Sequence, residues 1–232
     1  MSLPPLLLLP GMMCDERMYA PQIEALKDIA ECQVGHIGGA DNMADIAAQV
    51  LSDAPEKFSL AGLSMGGIVA MEVVSQAPER VVRLALMDTS PWSEEEDMKA
   101  ARSPQIEAAH AGQLEQIVRE IMVPRYFSSH QSHVQLDELC VDMALTLGKD
   151  VFIRQSQALK KRRDQQAILA NFNKPCLVLM GTEDKLCPLD RHECMVALLS
   201  QVAFVKIHHA GHIPTLEQPA ATNAALKQWM VQ

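Results

Sequence analysis

Basic residues are in the minority in this chain: 20 Lys and Arg stand against 29 Asp and Glu, a net charge of −9. That balance offers no electrostatic footprint for DNA, RNA or an anionic bilayer, so nucleic-acid and membrane partners are not expected. Long apolar runs are lacking too. The longest near the start, Leu6 to Leu9, falls short of the roughly 7–15 residues of a signal peptide's apolar region and the roughly 20 of a membrane span. No targeting segment is expected. No CxxC pair occurs among Cys14, Cys32, Cys140, Cys176, Cys187 and Cys194. Neither a zinc site nor a redox motif is therefore indicated, and free thiols in a reducing cytoplasm are expected. Aromatics make up only 4%; Leu, Ala and Met are plentiful instead, which suits helices packed on a sheet. No internal repeat or low-complexity linker appears.

What is present is a recurring alternation. Apolar runs bounded by Gly, Pro or Asp appear at Leu6–Gly11, Cys32–Ile37, Phe58–Ser64, Val81–Asp88, Cys176–Asp184 and Ala203–His212. Continuous apolar runs suit strands covered on both faces. Between them lie helical periods. Met43, Ile46, Ala47, Val50 and Leu51 recur at i, i+3, i+4, i+7 and i+8, with Asp41 placed to cap them. Strand and helix in turn imply an α/β fold with a mostly parallel sheet of six strands and helices on both faces.

One long gap, from Asp88 to Pro175, reads as helical. Leu136, Leu139, Cys140, Met143 and Leu147 share a face, as do Leu114, Ile117, Val118 and Ile121. Ser93 followed by Glu96 fits a capping box, and the acidic run Glu94 to Asp97 suits a helix N-terminus. The expected organisation is a core of residues 1–88 and 175–232, with a helical insertion over 89–174 before the penultimate strand.

The stretch "LAGLSMGG" places Gly62, Ser64 and Gly66 in the pattern G-x-S-x-G, after an apolar strand and before a helical stretch, Met65 to Gln76. A serine on a sharp strand-to-helix turn has strained backbone angles, and small residues two positions away let the neighbouring backbone approach. The turn lifts the hydroxyl above the C-terminal edge of the sheet, where ligands bind in open α/β folds. The bland alternative is a Gly-rich junction with a buried serine.

A serine hydroxyl needs a base. His110, His130 and His133 sit in the insertion, His192 in a helical stretch and His36 at the end of an early strand. His212 follows Gly211 on a loop at the sheet edge of Ser64, whereas His208 and His209 fall within or at the end of the last strand. The imidazole must also be held in one tautomer, which a carboxylate does by accepting its second N–H. Asp184 follows the penultimate strand at the same edge; Glu183 and Asp88 are the alternatives.

With "LLLLPGMMCDERM", "LAGLSMGG", "LALMDTSP", "PCLVLMGTEDKLCP" and "HHAGHIPTLEQP" in place, the chain resembles the α/β-hydrolase superfamily over its whole length apart from the detail of the insertion. The resemblance implies Ser64 as nucleophile, Asp184 as acid, His212 as base and the insertion as a helical cap. It also implies an oxyanion hole built from the backbone N–H groups of Met65 and of Met12, or Met13 if that loop is rotated. Expected is a serine carboxylesterase that cleaves a small, mostly apolar, neutral ester or thioester through an acyl-enzyme, with a small-molecule substrate and no metal or organic cofactor. Related families use the same residues for carbon–carbon bond hydrolysis, acyl transfer, perhydrolysis or lyase chemistry, and a non-catalytic ligand-binding member is a third alternative. Met12, Met13 and Met65 could form a soft apolar wall, and Trp92, Tyr126, Phe127 and Phe152 are candidate lining residues. The basic run Lys160 to Arg163 reads as a solvated helix face, and Cys187 as a small loop residue.

Overall fold

The structure, a computed structural model, describes residues 3–130 and 132–231. Six strands, β1 (Pro5–Leu9), β2 (Glu31–Val34), β3 (Phe58–Leu63), β4 (Val81–Met87), β5 (Cys176–Gly181) and β6 (Val202–Ile207), form one sheet in the order β2-β1-β3-β4-β5-β6. Every pairing is parallel, so the expected mostly parallel sheet is wholly so. The chain runs outward from β1 to β2 and then crosses back to β3 on the other side of β1. That reversal opens a crevice between the C-terminal ends of β1 and β3, the place where open α/β sheets bind ligands.

The apolar runs become strands because both faces of the sheet are covered. Side chains two apart point to one face. Leu6, Leu8, Ala61, Leu63, Ala85, Met87, Leu177 and Leu179 pack into one cluster, and Leu7, Leu9, Leu60, Leu84, Leu86, Cys176 and Val178 into the other. All six residues of β3 and of β5 are buried. On the second face lie α2 (Met43–Asp53), α3 (Met65–Gln76), α8 (Gln166–Ala170) and α9 (Leu189–Leu198); on the first lie α1 (Ala20–Leu26), the short α10 (Pro214–Glu217) and α11 (Pro219–Met230). α3 has the bounds expected for the helix after Ser64, and ten of its twelve residues are buried. No helix of the described residues is long and apolar enough to cross a membrane.

Between β4 and β5 the chain forms α4 (Glu96–His110), α5 (Leu114–Ile117), a π-helical turn over Val118–Met122, α6 (Val134–Leu147), α7 (Lys149–Lys160) and then α8. α6 buries Cys140 and Met143 and turns Leu136, Leu139 and Leu147 to the core, the face its spacing implied. The other expected face is broken: the π turn shifts the register after Ile117, and Ile121 is exposed while Val118 stays buried.

Local expectations fail where a nearby residue competes better. Asn42, not Asp41, caps α2 by accepting the Asp45 N–H at 2.9 Å, while Asp41 pairs with Lys161 across the surface. α4 starts after Glu95 with no side-chain cap, so Ser93 and Glu96 form no capping box; Glu96 and Asp97 do fall in its first turn. Every strand ends before its apolar run does, most clearly at β2 and β6. β2 stops at Val34, and β6 stops at Ile207, which leaves His208 and His209 in the turn that follows, His209 at φ 56°.

Candidate active site

Ser64 joins β3 to α3 with φ 54° and ψ −118°, a region that L-residues occupy only when the surroundings impose it. The imposition is visible. The Ser64 N–H donates to Met87 O at 2.9 Å, and its carbonyl accepts from Gly67 N, Ile68 N and Thr89 Oγ1. The two glycines of the pattern are steric necessities: a Cβ on Gly62 would lie 2.3 Å from Gly66 O, and one on Gly66 would lie 2.1 Å from Leu9 O. The backbone of β1 and the start of α3 therefore pass too close for any side chain.

His212 sits on the loop after β6. Its Nε2 lies 2.8 Å from Ser64 Oγ and its Nδ1 2.8 Å from Asp184 Oδ2. Asp184 Oδ1 accepts the N–H groups of Leu186 and Cys187 at 2.8 and 3.0 Å. Burial alone would push the Asp184 carboxyl up, but His212 and those two N–H groups outweigh it and hold the group below its ordinary value. The carboxylate is thus charged, pinned at one oxygen and free to accept at the other.

Neither alternative acid meets His212. Glu183 turns outward to His130. Asp88 is fully buried at the end of β4, at φ 45°, where Oδ1 accepts the Gly181 N–H at 2.8 Å and Oδ2 has no partner among the described residues. Burial, and then the nearby Asp184 charge, pushes its carboxyl well above the ordinary range.

The loop after β1 settles which of its N–H groups is free. Met13, at φ 56°, donates to Gln155 Oε1 of α7 at 2.9 Å. Met12 N has no acceptor among the described residues, and Met65 N is the first of α3, with no helical acceptor in reach. Both residues border a cavity of about 370 Å³ above Ser64. Trp92, Tyr126 and Phe152 line it as well. Phe127 does not: it is buried, edge-on to Tyr126, with ring centroids 6.4 Å apart. Met13 is also absent from the wall, buried in the core instead.

Several residues that shape the site gave no warning in the sequence. Glu217, buried, accepts from Gly211 N at 2.6 Å and Ser128 N at 2.8 Å, tying the His212 loop to the inserted segment; Tyr126 O accepts the His212 N–H at 2.7 Å from the same segment. The "TLEQP" stretch held Glu217 in view, but nothing in its spacing signals a tether. Arg162 is no member of a solvated helix face. α7 ends at Lys160, and the Arg162 side chain, 12% exposed, turns into the cavity wall beside Glu94 and Arg102. Glu94, expected at a helix N-terminus, is bound twice by Arg102. The Cys187 thiol borders the cavity, and burial pushes its pKa well up, so it stays protonated.

Two groupings among the described residues bring three potential metal-ligand atoms within 4.8 Å: Asp184, Cys187 and His212, and the surface set His130, Glu183 and His209. The first is already committed to the hydrogen bonds above, and its thiol is held neutral, so it suits a proton relay better than a metal ion.

A parallel sheet covered on both faces, with a strained serine at its crevice touching a histidine–aspartate pair, defines an α/β protein built like a hydrolase. The chain belongs to the alpha/beta hydrolase family, whose sequence model matches residues 6–225. Among curated relatives, a putative carbamate hydrolase of Agrobacterium fabrum is 25% identical over 98% of this chain and 93% of its own length. A biotin-biosynthesis bifunctional protein of Cellvibrio japonicus is 22% identical over 99% of this chain, which spans only 48% of that protein. Among solved structures, a thermophilic esterase from Thermogutta terrifontis superposes with a TM-score of 0.90 at 27% identity, covering 99% of this chain and 90% of the other.

Proposed function

We propose that the chain is a serine hydrolase of small carboxylic esters, including thioesters, acting through an acyl-enzyme. The observation that carries the reading is the unbroken run from Ser64 Oγ through His212 to Asp184, 2.8 Å at each step. Asp184 accepts a hydrogen bond from His212 Nδ1–H, which leaves the Nε2 lone pair facing the serine. As Ser64 Oγ attacks the ester carbonyl, Nε2 takes its proton, and the imidazolium gives it to the departing alcohol or thiol. Water then attacks the acyl carbonyl as His212 takes its proton; the acyl–Oγ bond breaks, the imidazolium returns that proton to Ser64 Oγ, and the carboxylic acid leaves.

The oxyanion formed at each attack is held by the free N–H groups of Met12 and Met65, each worth about 3 kcal/mol in such a site. Met12 and Met65 side chains supply an apolar contact for the acyl chain. α4 to α7 act as a helical cap whose inner side closes the cavity. The partner is a small molecule. The six cysteines, free in the structure, suit a reducing compartment such as the cytoplasm.

The test is turnover of short aryl esters by wild type and Ser64→Ala. The reading expects hydrolysis by the first and loss of at least a thousandfold in the second, with both equally folded. An active Ser64→Ala protein would overturn it. Product analysis with added alcohol and peroxide acceptors separates hydrolysis from acyl transfer and perhydrolysis.

A further inference from the structure

The cavity above Ser64 is richer in positive charge than the chain that encloses it. The chain carries −9, yet five cationic side chains and only three carboxylates line this cavity. At its inner wall the imbalance is local. Glu94, with 5% of its side chain exposed, receives Arg102 Nε and Nη2 on one oxygen, at 3.0 and 2.8 Å. Its other oxygen lies 3.7 Å from Arg162 Nη2. One carboxylate therefore serves two guanidinium groups, whose side chains are only 11% and 12% exposed. Arg162 Nε is buried with no hydrogen-bond partner among the described residues. Arg102 Nη1 reaches to 3.9 Å from Met12 Sδ, beside the loop that faces the serine.

An arginine keeps its charge in any protein environment, and a buried charge without a full complement of acceptors is unfavourable. The arrangement is satisfied when a ligand brings one more carboxylate. A planar, two-donor guanidinium edge is the natural receptor for that group, since both oxygens can be bound at once. A cation-rich cleft in an anionic protein would also draw such a ligand in.

We propose that the substrate is an ester carrying a carboxylate remote from its reacting carbonyl, and that Arg162 receives this carboxylate, with Arg102 held in place by Glu94. This rests on the ester-hydrolase reading and replaces the neutral substrate expected from sequence. The acyl chain lies along the methionines, its carbonyl at Ser64 and its charged end at the arginines.

The experiment compares aryl hemiesters of succinate, glutarate and adipate with aryl butyrate, pentanoate and hexanoate. At least one hemiester should exceed its neutral counterpart tenfold or more in kcat/KM, and Arg162→Met should bring that ratio to within about threefold, while Arg162→Lys keeps part of it. In parallel, calorimetry on the Ser64→Ala protein should show monomethyl glutarate binding at least tenfold more tightly than methyl pentanoate, with the difference lost in Ser64→Ala/Arg162→Met. Neutral esters turned over as fast as every hemiester, or a ratio untouched by Arg162→Met, would overturn the proposal. Should no ester be hydrolysed at all, the ester-hydrolase reading falls, and the calorimetric comparison still decides the anion site by itself. If Arg162→Met does not fold, the wild-type ratio and Arg162→Lys carry the decision.

Discussion

Replacing Asp184 by Asn exchanges one heavy atom and should nearly silence the enzyme while leaving it folded. In the wild type, Oδ1 accepts two backbone N–H groups, from Leu186 and Cys187, and Oδ2 accepts from His212 Nδ1. Two N–H donors can face only an oxygen, so the amide oxygen must occupy the Oδ1 place. The NH2 group then faces Nδ1 and donates to it. An imidazole that accepts at Nδ1 carries its proton on Nε2, the nitrogen 2.8 Å from Ser64 Oγ. The serine thus meets a proton where it needs a lone pair. In such a triad a swap of this kind lowers kcat about 10⁴-fold, roughly 5 kcal/mol of transition-state stabilisation. The assay is steady-state hydrolysis of an aryl ester at neutral pH, with circular dichroism to show that the variant is folded. A loss of less than about tenfold in a folded variant would refute the tautomer argument, because the side chain would then be no more than a spacer.

Further changes test other parts of the account. Gly66→Ala puts a Cβ 2.1 Å from the Leu9 carbonyl oxygen, and forced overpacking of this kind costs about 1–3 kcal/mol or more, so at about 2–4 °C per kcal/mol Tm should fall by roughly 2–12 °C; a scan that left Tm unchanged would mean the elbow can open. Asp88→Asn tests the buried acid through pH. Its carboxyl is pushed up by burial and then by Asp184, so the folded chain keeps a proton that the unfolded chain loses above about pH 4. Wild-type stability from this group is complete below that pH and declines as pH rises toward the folded value. Asparagine has no such proton, and its oxygen can still accept the Gly181 N–H. The Tm of Asp88→Asn relative to wild type should therefore climb between pH 4 and pH 8; a constant difference would contradict the raised pKa.

The proximity of Ser64, Asp184 and His212 was legible in the sequence because each lies in the loop or turn after an apolar strand, and parallel strands deliver all their C-terminal loops to one edge. The same regularity made α3 readable to the residue. What the sequence concealed comes from the inserted helices. Gln155, which engages the Met13 N–H, and Arg162, which turns into the cavity, lie 142 and 98 residues from Met13 and Ser64 in the chain. Helical periodicity says which face of α7 is apolar but not which strand edge the segment will cover, so no local pattern could bring these side chains to the serine. Capping failed for a smaller reason: Asn42 and Glu95 start their helices within two residues of the positions expected, and neighbouring polar residues differ by only a few tenths of a kcal/mol to about 1 kcal/mol as caps.

The central claim is that one serine, Ser64, is activated by its neighbours. A fluorophosphonate probe answers this most directly, because it bonds only to a serine whose proton a base removes. The account predicts a single adduct on wild type, mapped by peptide mass spectrometry to the segment that holds Ser64, and none on Ser64→Ala. A folded wild-type protein that stayed unlabelled, or an adduct that persisted in Ser64→Ala, would contradict it.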